Sequence, residues 1–260
     1  ARRIALTRPV WALAGRALRN ASRRPQFFVP MLVFPSLLLA ANTGGFNRTT
    51  ALPGFPKVHG FLDYQLAAAI TQSLLLGGVS VGIAVALEIE NGFFDRLIAS
   101  PIPRTSIVFG RLAATFCIAL VQVLFFLVLG LIFGAEVQGG IGGALLVLLI
   151  GAIAGTGFGG IGMSLALRAR NASLVQGIFP FAFVILFLSS AFFPMDLLRA
   201  PADWVAAYNP LSYIADGLRN PIIAPIDAGA VLEGLAATLG VTAAMTALSV
   251  YFLRGRLREP

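Results

Sequence analysis

The chain has 260 residues, of which 58% are hydrophobic and only 12% are charged. In soluble domains about a quarter of the residues are charged, so this composition excludes an ordinary soluble protein and predicts an integral membrane protein. The net charge of +8 comes from arginines at the ends of apolar stretches. The positive charge therefore indicates how the protein is oriented in the membrane, and nucleic acid is not an expected partner.

A basic amphipathic segment, residues 1–24, precedes the first apolar stretch. Val10 and Ala14 fall on one helical face and Arg16 on another, while Trp11 is typical of an anchor at the level of the lipid headgroups. We therefore expect an interfacial helix on the membrane lipid, acting either as an electrostatic anchor or as a docking element for a partner.

Stretches without charged residues locate the membrane spans, because a helix needs about 20 apolar residues to cross the hydrocarbon layer. Six spans are predicted, at residues 25–47, 64–87, 112–135, 141–167, 171–195 and 234–253. The predicted fold is an all-α integral membrane protein, with one transmembrane domain over residues 1–260. Most of the 19 basic residues lie in the N-terminal segment, the loops after spans two and four, and the tail. This bias predicts that both termini are cytoplasmic.

A short charged loop, residues 88–106, separates spans two and three. Two carboxylates open it, a glycine permits a bend, an apolar and charged helical turn follows, and two prolines stop the helix. We expect this coupling loop to lie in a groove of a soluble partner and to pass that partner's motion to both spans. The residues assigned to it are Glu88, Glu90, Gly92, Phe93, Phe94, Leu97, Pro101 and Arg104.

Span four is rich in glycine. Gly155, Gly157 and Gly160 match the spacing of a dinucleotide-binding loop, but that loop needs a preceding strand in a soluble unit. The repeat Gly151, Gly155 and Gly159 instead predicts close helix packing in lipid.

Two short helices are predicted over residues 196–228, before the last span. Their aromatic residues and amphipathic pattern indicate a segment that dips into the outer leaflet as an external gate, or else a plain surface loop. The predicted gate residues are Asn209, Pro210, Tyr213 and Arg219.

Polar and aromatic residues recur at helical spacing on spans two and five. They either line a pathway for a hydrophobic or amphipathic compound, or contact lipid and the protein core. The candidate pathway residues are Gln65, Gln72, Gln176, Phe183, Phe187 and Ser190.

The sequence also excludes several chemistries. A P-loop needs a lysine to reach the nucleotide phosphates, and Lys57 is the chain's single lysine and lies outside any such motif. Mid-span ionisable residues, typical of proton-coupled transporters, are missing. With His59 as the one histidine and Cys117 as the one cysteine, we expect no metal site, no catalytic residues and no cofactor in this chain.

Two motifs carry a family resemblance: Glu-x-Glu-Asn-Gly from Glu88, and Asn-Pro-Leu-Ser-Tyr from Asn209. In this order and spacing, the chain resembles the type-2 permease family of ATP-binding-cassette exporters, above all the bacterial drug and antibiotic branch. The resemblance implies a bacterial inner (plasma) membrane location, a second permease chain, and two separate cassette ATPase subunits that bind ATP and Mg²⁺. The loop after span two would then be the coupling helix.

Two alternatives remain open from the sequence. A polysaccharide or glycolipid exporter would share the same family features. A membrane scaffold that recruits a cytoplasmic partner without moving a substrate would use the same loop.

Overall fold

The computed structural model describes residues 7–23 and 25–256, and the regular elements among them are helical. The first six helices are α1 (Thr7–Ser22), α2 (Pro25–Phe46), α3 (Phe61–Glu90), α4 (Phe93–Ala99), α5 (Thr105–Ile132) and α6 (Gly140–Ala169). The remaining five are α7 (Ala172–Gly177), α8 (Phe179–Phe187), α9 (Ala202–Tyr208), α10 (Pro210–Ile223) and α11 (Ala228–Arg256). Residues 1–6 and 24 of the predicted interfacial segment, and 257–260 of the tail, lie outside the described residues.

Among the described residues, five helical segments are long and apolar enough to cross a membrane. They are Phe28–Ala51, which continues α2 through a short 3₁₀ turn, and helices α3, α5, α6 and α11. They correspond to the first four predicted spans and the sixth. Several extend beyond the charge-free stretches, because Asp63, Glu88 and Arg111 remain helical near the ends of their helices.

The fifth predicted span differs from a continuous membrane helix. Helices α7 and α8 cover residues 172–187, about 24 Å at a rise of 1.5 Å per residue, which is short of the roughly 30 Å of hydrocarbon. The chain breaks between them at Ile178, and Pro180 occupies the first turn of α8, where a missing backbone N–H does no harm. A sixth crossing therefore stays a prediction.

Helix α6 lies at the centre of the bundle and packs through its glycines on more than one side. A Cβ added at Gly151, Gly155 or Gly159 would lie 2.5 Å from a side-chain atom of Val123, Ala119 or Thr115 on α5. A Cβ added at Gly162 would lie 2.0 Å from the carbonyl oxygen of Gly78 on α3. Such distances require small residues between closely approaching backbones, which confirms the packing interpretation of this segment.

The two ends of the bundle carry different elements. One end, here called the α4 end, gathers α1 and α4, the last turns of α3, α6 and α11, and the first turns of α5 and α7. The opposite end holds α10, which packs against α3, α6 and α11. The backbone amides of Gln138 and Gly139 donate to the carbonyls of Ile222 and Pro221, so the loop before α6 also fixes the last turn of α10.

Candidate functional site

The coupling loop forms a sharp elbow between α3 and α5. Gly92 adopts a φ of +65° at the start of α4, a left-handed conformation that glycine adopts without strain. The Phe94 ring is 1% exposed and packs among Val85, Leu112 and Met163. The apolar face of α4 therefore contacts the bundle of this chain, and a partner would meet the opposite face.

That opposite face of the elbow is polar and exposed. It consists of Asn91, Asp95, Arg96, Ala99, Pro101 and Arg104. Leu97 is half-buried beneath it. Of the eight residues predicted for coupling, Pro101 and Arg104 lie on this surface, and the others mainly connect α4 to the rest of the chain or shape its turn.

Glu88 joins three helices at the α4 end. Its Oε1 lies 3.4 Å from Arg16 Nη2 of α1, and its Oε2 accepts a hydrogen bond from Arg111 of α5. The guanidinium of Arg16 also lies 3.6 Å from the centre of the Phe93 ring, a cation–π contact with α4. The sequence predicts a coupling role for Glu88, which stays a prediction; in the structure its carboxylate contacts Arg16 and Arg111 of the same chain.

Two further contacts connect the elbow to distant helices. The Glu90 carboxylate accepts a hydrogen bond of 2.8 Å from the backbone N–H of Ala172, at the start of α7. Asp95 Oδ1 lies 2.7 Å from Arg256 Nη2, in the last turn of α11. Through Glu88, Glu90 and Asp95, the elbow formed by the end of α3 and α4 thus contacts α1, α5, α7 and α11.

A cavity of about 250 Å³ lies between α1, α2, α3 and α5. Its outer end carries Arg16, Asn20, Glu88 and Arg111, while Phe28, Leu74, Ala84 and Ile118 are among its apolar lining residues. The cavity reaches inward to Gln122 of α5 and Gly155 of α6. It combines a charged mouth with an apolar interior.

A polar relay closes the inner part of this cavity. Pro35 has no N–H to donate to the carbonyl of Met31, which is freed from its usual helical partner. Ser73 Oγ of α3 donates to that carbonyl over 2.7 Å. Gln122 Nε2 in turn donates to Ser73 O and Oγ, at 2.8 and 2.9 Å. The relay therefore connects α2, α3 and α5 at the proline in α2.

None of the six predicted pathway residues lines the cavity between α1, α2, α3 and α5. Gln65 and Gln72 are buried on α3, and Gln65 Oε1 and Gln72 Nε2 have no hydrogen-bond partner in the part of the chain that the structure describes. Gln176 is exposed on α7. A pathway shared by these residues stays a prediction.

The aromatic members of that set lie on the surface of α8. Phe187 is 55% exposed, and its ring stacks on Phe192 with a centroid distance of 4.6 Å. Phe183 packs edge-on against Phe34 of α2. Ser190, by contrast, is buried and donates to Asp216 Oδ2 over 3.0 Å.

Three of the predicted gate residues hold the start of α10. Asn209 caps it by accepting from the backbone N–H of Leu211, and its amide donates to the carbonyls of Ile185 and Leu188 in and just after α8. Pro210 occupies the first position of the helix. Tyr213 donates to Ala207 O. These contacts connect α8, α9 and α10.

The fourth gate residue, Arg219, is a buried cross-link. It is 4% exposed, pairs with Asp216, and donates to the carbonyls of Ser190 and Ala191 at 3.0 and 2.6 Å. Its guanidinium also stacks 4.0 Å from the centre of the Tyr64 ring on α3. Arg219 thereby joins α10 to α3 and to the chain that follows α8.

Sequence reasoning missed that Arg16, Arg111 and Gln122 line this cavity and that Ser73 belongs to the polar relay beside it. One signal was present, because Gln122 is an isolated polar residue deep in an apolar span, and such groups are costly unless they are partnered. The pairing of Arg16 and Arg111 with one carboxylate depends on helix packing and left no signal in the sequence.

Comparison with known proteins agrees with this architecture. A family model described as ABC-2 type transporter matches residues 8–223. The chain is 26% identical over 218 residues to ycf38 of Porphyra purpurea, covering 80% of this chain and 72% of the relative. It is 25% identical over 221 residues to ycf38 of Pyropia yezoensis, covering 82% and 74%. Both relatives are provisionally named transport permeases. Because the family match covers most of its length, the chain belongs to the ABC-2 type transporter family, as a multi-pass membrane permease subunit whose partner carries the ATPase activity.

Proposed function

We propose that this permease exports a hydrophobic or amphipathic compound, such as a drug, an antibiotic or a lipid-like molecule. Two separate cassette ATPase subunits would bind ATP and Mg²⁺ and supply the energy. The observation that carries the proposal is the elbow at α4, which offers an exposed polar face and is also connected to α1, α5, α7 and α11. An element of this kind suits the transfer of a docked partner's motion into the bundle.

The orientation follows from the charge pattern. Arg16, Arg111, Arg170 and Arg256 belong to the segments at the α4 end, and basic residues are retained on the cytoplasmic side. We therefore propose that both termini and α4 face the cytoplasm, where ATP is available. In this arrangement the α7–α8 pair would complete a sixth crossing.

A second permease chain is part of the proposal. The described cavity of about 250 Å³ is smaller than the roughly 300–1,000 Å³ typical of pockets for drug-sized ligands. The exposed side chains of Gln176 and Phe187 lie outside it, where a second chain could complete a pathway between the two copies.

The test uses the permease co-expressed with a candidate cassette ATPase and reconstituted in proteoliposomes. Arg96→Glu reverses a charge on the exposed face of α4, and we expect it to reduce the amount of co-purified ATPase about tenfold or more. Arg199→Glu, an exposed charge reversal at the other end of the bundle, is the matched control and should leave ATPase binding unchanged. Phe94→Asp is a poor probe because the ring is buried and its loss would unfold the elbow.

The same complex distinguishes transport from scaffolding. A hydrophobic compound should accelerate ATP hydrolysis by the wild-type complex and should be depleted from the cytoplasmic-side compartment. Stimulation by a glycolipid alone would assign the permease to the polysaccharide and glycolipid exporters. A complex that binds the ATPase normally but responds to neither compound would indicate a scaffold, and equal binding by Arg96→Glu and wild type would refute coupling through α4.

A further inference from the structure

The cavity between α1, α2, α3 and α5 contains an unbalanced charge at its mouth. Two guanidiniums, of Arg16 and Arg111, share the single carboxylate of Glu88. The other lining residues near the mouth, Asn20, Asn91 and Phe93, carry no charge. One positive charge is therefore left over beside an apolar space, and an anion would balance it.

The mouth is open to a ligand. The side chain of Arg16 remains 35% exposed, while the side chains of Glu88 and Arg111 are 16% and 14% exposed. Removing charged groups partly from water strengthens their electrostatic contacts. Arg16 can therefore contact a headgroup from outside while Arg111 holds Glu88 in place.

The interior of the cavity is elongated and mostly apolar, with Ser80, Thr115 and Gln122 as polar lining residues. Its lining on α3 extends from Glu88 to Leu74, about 21 Å at 1.5 Å per residue. That distance takes it beyond the middle of a hydrocarbon layer of about 30 Å. The volume of about 250 Å³ is small for a compact drug-sized ligand, and its lining follows α3 lengthwise, so the cavity suits part of one extended alkyl chain.

We propose that this cavity binds one alkyl chain of an anionic amphiphile, with the acidic headgroup held at Arg16. Basic pockets between membrane helices are suited to acidic headgroups. A free single-chain amphiphile and a bilayer phospholipid that inserts one of its chains share this chemistry. The site lies within a single chain, apart from the predicted residues on α7 and α8, and does not rest on the proposed function.

Native mass spectrometry of the full chain, delipidated in mild detergent, tests the proposal. The probes are oleoyl lysophosphatidylglycerol, which is anionic, and monooleoylglycerol, which has the same chain but no charge. We expect one equivalent of the anionic probe to be retained at least about tenfold more strongly than the neutral one, the effect expected of a charge-assisted contact. Dioleoyl phosphatidylglycerol distinguishes the two sources: its retention assigns a bilayer lipid, and its exclusion assigns a free single-chain amphiphile.

Two variants locate the site. Arg16→Gln removes the surplus charge while leaving the Glu88–Arg111 pair, and should weaken retention of the anionic probe about tenfold. Arg19→Gln, an exposed arginine on the same helix that does not line the cavity, should leave it unchanged. Ala84→Phe fills the apolar space and should abolish retention, whereas Ala236→Phe, at an exposed position of α11, should not.

Thermal unfolding of each variant shows whether a loss of probe retention comes from the binding site or from a less stable fold. If Arg16→Gln unfolds too easily to be purified, Ala84→Phe decides the matter alone, since it leaves the ionic cluster intact. Equal retention of the two single-chain probes, or equal losses in Arg16→Gln and Arg19→Gln, would overturn the proposal. Because binding by the isolated chain needs neither ATP nor the ATPase, such a failure would leave the proposed export function untouched.

Discussion

Replacing Gly162 by alanine should destabilise the bundle through a contact between two backbones. The added Cβ would lie 2.0 Å from the carbonyl oxygen of Gly78 and 2.9 Å from the backbone nitrogen of Gly82. To reach an ordinary contact of 3.4 Å, α3 and α6 must separate locally by about 1.4 Å. Neither contacting atom belongs to a flexible side chain, so the strain cannot be relieved by a rotamer change.

The magnitude follows from two opposing effects. Alanine is favoured over glycine inside a helix by about 0.5–1 kcal/mol, whereas overpacking a close contact costs typically about 1–3 kcal/mol. With backbone on both sides we expect the upper part of that range, hence a net loss of about 2 kcal/mol in the free energy of unfolding. This corresponds to a decrease in Tm of about 4–8 °C for a chain of this size.

Scanning fluorimetry in mild detergent measures the effect, with Gly240→Ala as the matched control. Gly240 lies within α11 and has nothing within 4 Å of an added Cβ, so the same substitution should keep or raise the Tm. A lower Tm for Gly162→Ala together with an equal or higher Tm for Gly240→Ala would show that the loss comes from the close approach of α3 and α6. A Gly162→Ala variant as stable as the wild type would refute the reasoning.

Two further predictions concern the opposite end and the orientation. Arg219→Ala should lower the free energy of unfolding by about 2–4 kcal/mol, because it leaves buried carbonyls unpaired. Arg219→Lys should recover only part of this loss, since lysine lacks the forked guanidinium. A wild-type Tm for Arg219→Ala would contradict the role of Arg219 as a cross-link. In a Cys117→Ala background, a cysteine at Ser100 should react with an impermeant maleimide only from the cytoplasmic side and one at Lys57 only from outside. Labelling of position 100 from outside would reverse the proposed topology.

Much of the bundle was predictable because bilayer physics acts on short stretches of sequence. The long apolar stretches predicted α2, α3, α5, α6 and α11, with ends that differ from the helices by at most seven residues. The bend at Gly92 and the cap at Asn209 were readable from local conformational preferences. The predicted fifth span, residues 171–195, stays a prediction, because hydropathy reports the environment of a segment and not the break between α7 and α8.

What covers the apolar face of α4 could not be predicted from the local sequence. An amphipathic turn predicts that Phe94 lies on an apolar face, but the sequence does not say whether this chain or a partner covers it. Packing decides: the ring fills a space between α3, α5 and α6, and the polar side is left for docking. Glu88 behaves likewise, because only the packed helices bring Arg16 and Arg111 to the same carboxylate.

The sequence by itself determined the membrane class of this protein, the positions of most of its long helices, the glycines that permit close packing and the family to which it belongs. These depend on composition, periodicity and short motifs, which act over at most one helix. Only the tertiary structure decided which helices meet, that Ser73 satisfies the carbonyl freed by Pro35, and that a charged mouth opens on an apolar cavity. Those features arise between residues far apart in the chain, whose contacts depend on how all the helices pack together.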